Sequence, residues 1–90
     1  MNYRPWLEEQ VLRQMANLPS DAFDTLAQTL ARICADPYDR LHSAAILDEN
    51  PARRMAELGD DAGFIEFTVD ETEGLVHVYA LLWLGRPPAY

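Results

Sequence analysis

Ten consecutive residues, Leu75 to Leu84, read Leu-Val-His-Val-Tyr-Ala-Leu-Leu-Trp-Leu, an apolar run interrupted only by His77. The run is rich in β-branched and aromatic residues and apolar at both odd and even positions. That pattern places it as a central strand. The chain must therefore supply partner strands on either side and a layer to pack on them. Phe64 to Val69 is the first partner. Ile65, Phe67 and Val69 alternate with Phe64, Glu66 and Thr68, giving one dry face and one mixed face. Asp70-Glu71-Thr72-Glu73-Gly74 between the two runs is polar and ends in glycine, as a hairpin connection requires. Arg53 to Leu58 precedes Gly59-Asp60-Asp61-Ala62-Gly63 and fits a third strand of a meander. Its Arg, Met, Ala, Glu and Leu fit a helix equally well.

The covering layer comes from the first third of the chain. Leu7, Val11, Leu12, Met15 and Leu18 recur at helical spacings of three and four, with Glu8 and Glu9 at the positive end. Pro19 ends this helix, because the residue before a proline is pushed out of the helical region. Ser20 is placed as the N-cap of a second helix, with Asp21 and Asp24 in its first turn. Phe23, Leu26, Ala27, Leu30, Ile33 and Cys34 form its apolar stripe, and Asp36-Pro37 stops it. Two such helices leave their stripes open, and the sheet closes them. The fold class expected is α+β: a helical hairpin on a small antiparallel β-meander. A chain of 90 residues and 10.2 kDa has room for one domain. It divides into a hairpin at 6–35, an irregular connection at 36–52, a sheet at 53–85 and a tail at 86–90. Leu41, Ala44, Ala45, Ile46 and Leu47 in the connection suit a short strand or a helical turn.

Charge narrows the function. Fifteen acids oppose seven bases, all of them arginine, for a formal net charge of -8. A surface of that sign repels phosphates, which argues against tight binding to free nucleic acid. No apolar run approaches the ~20 residues of a membrane span, and the start of the chain lacks the basic-then-apolar pattern of a secretory leader. The single cysteine, Cys34, has no internal partner for a disulfide, so the cytoplasm is the expected location. Cys34, His42 and His77 lack the spacing of metal ligands, and no glycine-rich phosphate loop occurs, so neither metal nor cofactor is expected. Cys34 lies on the core stripe, where a buried small hydrophobe is expected. His77 is read as structural, bonded on one sheet face. Trp6 and Trp83 are read as packing or partner anchors.

The order helix, Leu18-Pro19, helix, Asp36-Pro37, irregular stretch and strand meander resembles the RelE/ParE superfamily of bacterial toxins. Asn17-Leu18-Pro19 is similar to that family's joint between helices, and Ala35-Asp36-Pro37 to its usual helix end. Leu58-Gly59-Asp60 followed by Phe64 to Asp70 is similar to its strand pair, and Leu75 to Gly85 to its last core strand. The likeness spans nearly the whole chain. It implies the toxin of a type II toxin–antitoxin pair, partnered by an antitoxin. Its target would be ribosome-bound messenger RNA, as for RelE-like members, or gyrase, as for ParE-like members. Cleavage by attack of a 2'-hydroxyl on the adjacent phosphate needs a base, a proton donor and cations. Where the family carries its basic residues, this sequence has Met55 and Glu57 on one strand and Phe64 or Ile65 on the next. The residues left for catalysis by the resemblance are Arg53, Arg54, Arg86 and the terminal Tyr90. The loss of cations leaves open a second reading, a non-catalytic binding or regulatory module on the same fold.

Overall fold

The computed structural model describes residues 3–39, 44–45, 52–59 and 63–84. The elements follow as β1 (Arg4–Leu7), α1 (Glu9–Ala16), α2 (Ser20–Ala35), β2 (Ala44–Ala45), β3 (Arg53–Glu57), β4 (Gly63–Asp70) and β5 (Leu75–Trp83). The sheet order is β1-β5-β4-β3-β2. The meander β3–β4–β5 is antiparallel, as expected, and the open question at Arg53 to Leu58 resolves as a strand. β1 runs parallel to β5, so the sheet is mixed rather than purely antiparallel.

β1 corrects the expected start of the hairpin at residue 6. Trp6 and Leu7 are strand, and α1 begins only at Glu9. Pro5 does not prevent this. Arg4 N–H donates to Gly74 C=O at 2.9 Å and Glu8 N–H to Val78 C=O at 3.0 Å, so even-numbered residues face β5. Pro5 is on the outward side, where a missing N–H removes nothing from the sheet and blunts a free edge. Beyond β1 the outer edge of β5 is met by α1. Gln10 Nε2 donates to Tyr79 C=O at 2.8 Å and Gln14 Nε2 to Leu81 C=O at 3.0 Å. Side chains four apart on a helix match carbonyls two apart on a strand, because both spacings are about 6 to 7 Å.

The helices cover one face of the sheet. Val11, Leu26, Leu30, Ile33 and Cys34 pack on Ala56, Leu58, Ile65, Phe67, Val69, Val76, Val78 and Leu81. The helical stripes are narrower than their periodicity suggests. Leu12 (51% exposed) and Phe23 (43%) lie outside the core, and Ala27 is exposed. Ala22 and Thr29 take the inward places on α2, where Thr29 Oγ1 satisfies itself by donating to Thr25 C=O at 2.8 Å. Ser20 is not the N-cap. Pro19 holds that position in extended backbone, no side chain caps the end, and Asp21 Oδ1 accepts from Ala22 N–H instead.

Two turns show why glycine is required. Gly74 closes the β4–β5 turn at φ 67°, a left-handed conformation in which a side chain is strained. At Gly63 a Cβ would lie 2.1 Å from the Leu82 carbonyl oxygen, so the strands meet only because no side chain is there. No helix among the described residues is long and apolar enough to cross a membrane.

Candidate functional site

Strand alternation sends every second residue to the face away from the helices. β3 presents Arg53, Met55 and Glu57 there, and β4 presents Phe64, Glu66 and Thr68. β5 presents Leu75 and His77, and then a bulge intervenes. The register passes from Phe67↔Val78 to Glu66↔Ala80, leaving Tyr79 as the extra residue between inward-facing Val78 and Leu81. Bulges re-aim a side chain, and here Tyr79 reaches the open face. β5 is therefore central but dry on one face only. Its other face stays partly exposed, which explains the His and Tyr in an otherwise apolar run.

Register aligns Trp6, His77, Thr68 and Arg53 in one row across four strands. The row carries most of the polar contacts of this face. His77 Nε2 lies 2.7 Å from Glu8 Oε1, and the His77 ring stacks on Trp6 with centroids 4.3 Å apart at 27°. Trp6 is nevertheless 54% exposed. Arg53 Nε donates to Tyr79 Oη at 2.7 Å, its guanidinium lies 5.6 Å from the Tyr79 ring centroid, and Nη2 is 3.9 Å from Glu66 Oε1. An imidazole held by a carboxylate, a phenol and a guanidinium thus share one small area of sheet.

The expected catalytic residues separate. Arg53 is on this open face. Arg54, its chain neighbour, points to the opposite side, is 7% exposed, and lies with its guanidinium 5.4 Å from the Tyr38 ring centroid. Burial, followed by the neighbouring Glu71 carboxylate, pushes the Tyr38 phenol pKa up. Arg54 therefore ties the segment after α2 to the sheet rather than facing the open surface. Arg86 and Tyr90 lie outside the described residues. Cys34 is buried, and burial raises its thiol pKa. No group of three or more His, Cys, Asp or Glu able to hold a metal occurs among the described residues.

The residues that sequence reasoning missed are Glu8, Trp6 and Tyr79. Glu8 and His77 stand 69 positions apart, so nothing local connects them. The available signal was one titratable residue, His77, inside an apolar strand. Of the positions that the resemblance aligns with basic residues, Met55, Glu57 and Phe64 reach the open face, while the alternative Ile65 is buried in the core. With Gly63 and Leu84, the three open-face residues line a shallow depression of about 210 Å³.

No protein-family model matches the sequence, and no curated protein matches it significantly. Solved structures do match. The archaeal RelE–RelB complex from Pyrococcus horikoshii superposes with a TM-score of 0.76 at 20% identity, covering 97% of this chain and 100% of that one. The isolated RelE toxin of E. coli gives 0.76 at 18% identity over 94% and 87%. A RelBE toxin–antitoxin complex of Mycobacterium tuberculosis gives 0.75 at 12% identity over 92% and 99%. The chain has the RelE fold. The parallel β1 and the bulged β5 are part of a sheet with helices on one side. The cluster around His77 lies on the face of that sheet that the helices leave open.

Proposed function

We propose that this chain is the RelE-like toxin of a toxin–antitoxin pair and that its target is ribosome-bound messenger RNA. The observation that carries the reading is the RelE fold itself, matched over at least nine-tenths of the chain at TM-scores of 0.74 to 0.76. Similar chains are solved with antitoxin bound, among them the intact E. coli RelBE complex. An antitoxin of this chain would meet a surface with net charge -8, which repels an acidic partner. Its contacts are therefore expected to be mainly apolar, on exposed residues such as Leu12, Phe23, Met55, Leu82 and Leu84.

Production of the chain alone in bacteria tests the reading. Growth arrest reversed by a small co-produced antitoxin supports it. Normal growth with a folded product rejects it, and arrest with damaged DNA and intact messengers moves the target to gyrase.

One observation favours a second reading, a binding or regulatory module without catalysis. Met55, Glu57 and Phe64 occupy the open-face positions where cations would neutralise phosphate. Under that reading, substituting Arg53 leaves the cellular effect unchanged. Under the toxin reading it weakens growth arrest.

A further inference from the structure

The row Trp6, His77, Thr68 and Arg53 holds the groups that RNA cleavage needs, in a place the sequence comparison with RelE-type cations does not indicate. Glu8 accepts from one ring nitrogen of His77, Nε2. A carboxylate on one ring nitrogen fixes the proton there and leaves the other as the acceptor. Nδ1 has no protein partner among the described residues. The His77 side chain is 26% exposed, open enough to meet a substrate and enclosed enough to be held in one orientation. Tyr79 lies two residues further along β5, ~7 Å away along the strand. Its phenol oxygen accepts from Arg53 Nε, so its own O–H remains available to donate. Arg53 brings a permanent positive charge to the same patch from two strands away, ~10 Å in strand spacing, with its side chain extended back toward β5. Beside Trp6 a groove of about 370 Å³ is lined by Arg4, Pro5, Trp6 and Leu75.

We propose that His77, oriented by Glu8, is the general base of RNA cleavage by this chain. Tyr79 is the general acid, Arg53 the cation on the phosphate, and Trp6 the platform for a flanking base. The 2'-hydroxyl oxygen attacks the adjacent phosphorus and its proton passes to His77 Nδ1. The P–O5' bond breaks, and the leaving oxygen takes the Tyr79 hydroxyl proton. The products are a 2',3'-cyclic phosphate and a 5'-hydroxyl end, and water returns the proton from imidazolium to phenolate. Arg53 offsets the charge that grows on the non-bridging oxygens. The exposed side of Trp6 stacks a neighbouring base, and the groove beside it has room for one. Glu8 acts through His77 and is a positioning residue.

This assignment rests on the messenger-cleaving reading above, and one experiment separates the two. The full chain is added to a purified translation mixture with a defined messenger, and new 5' ends are measured over time, with and without added imidazole. The wild-type chain is expected to cut. His77→Ala is expected to lose ~100-fold or more and to recover part of its rate with added imidazole. Glu8→Gln keeps a hydrogen-bonding partner and is expected to lose ~10-fold. Tyr79→Phe is expected to slow cleavage with unchanged unfolding temperature. If His77→Ala fails to fold, Glu8→Gln and Tyr79→Phe decide the matter. Folded variants that cut within twofold of wild type overturn the assignment and leave the toxin reading standing. A wild-type chain that cuts no messenger overturns both.

Discussion

Adjacent residues on a strand face opposite ways, and at Arg53-Arg54 this separates two roles that the sequence presents as one. Arg53 makes partly exposed contacts with Tyr79 and Glu66, and surface ion pairs contribute little to stability. Arg54 is buried against Tyr38, and truncating it leaves its partners unsatisfied in a dry setting. Arg53→Ala is therefore expected to lower stability by less than ~1 kcal/mol while reducing cleavage. Arg54→Ala is expected to cost ~1 to 3 kcal/mol. Urea unfolding of both variants checks this. Equal losses contradict the division. Both arginines were legible as candidates from the resemblance, but their faces were not, because Arg53 to Leu58 suited a helix as well as a strand. Glu8 and His77 were hidden for another reason. Their contact depends on β1 running beside β5, and no local pattern encodes that pairing.

At the scale of elements, the sequence was most informative where one period dominates. The alternation of Ile65, Phe67 and Val69 gave the dry face of β4, and Asp36-Pro37 gave the end of α2. It was least informative at β1, where four residues are too few for periodicity and Pro5 reads as a breaker. Only the sheet context shows that the proline faces outward. The helical stripes were overestimated because α1 is eight residues long and lies at the edge of β5, so a single side chain, Val11, is fully buried. The start of β4 carries a sharper constraint. A Cβ on Gly63 meets the Leu82 carbonyl at 2.1 Å, and backbone has little freedom to yield within a paired strand. Gly63→Ala is expected to destabilise by ~1 to 3 kcal/mol. It is also expected to disturb the nearby Met55–Phe64 depression more than the His77 cluster. Thermal unfolding with messenger cleavage as a second readout checks both parts. An unfolding temperature equal to wild type contradicts the close approach.

At the scale of the whole molecule, the core on the helix side of the sheet holds a thiol that resists ionisation. Burial raises the Cys34 pKa above its ordinary value of 9.0, and Tyr38 is raised above 10.0 by burial and by the neighbouring Glu71 carboxylate. Both groups hold their protons more tightly when the chain is folded. The stability they contribute is complete below their unfolded values and is lost as pH rises through the folded ones. The denaturant midpoint is therefore expected to fall above about pH 9, in the thiol range, and Cys34→Ala is expected to flatten the first part of that fall. An unchanged alkaline limb in the variant contradicts the role of Cys34. The same scale sets the functional question. An open sheet face carrying His77, Tyr79 and Arg53 sits on a molecule with net charge -8, so the messenger-cleaving proposal expects RNA delivered by a partner such as the ribosome rather than captured free. The deciding measurement is induction of the chain without an antitoxin in growing bacteria, with messenger 5' ends mapped before and after. Arrest accompanied by new ends inside translated reading frames is the predicted result. Undisturbed growth and unchanged messengers, with folded protein recovered from the same cells, contradict it.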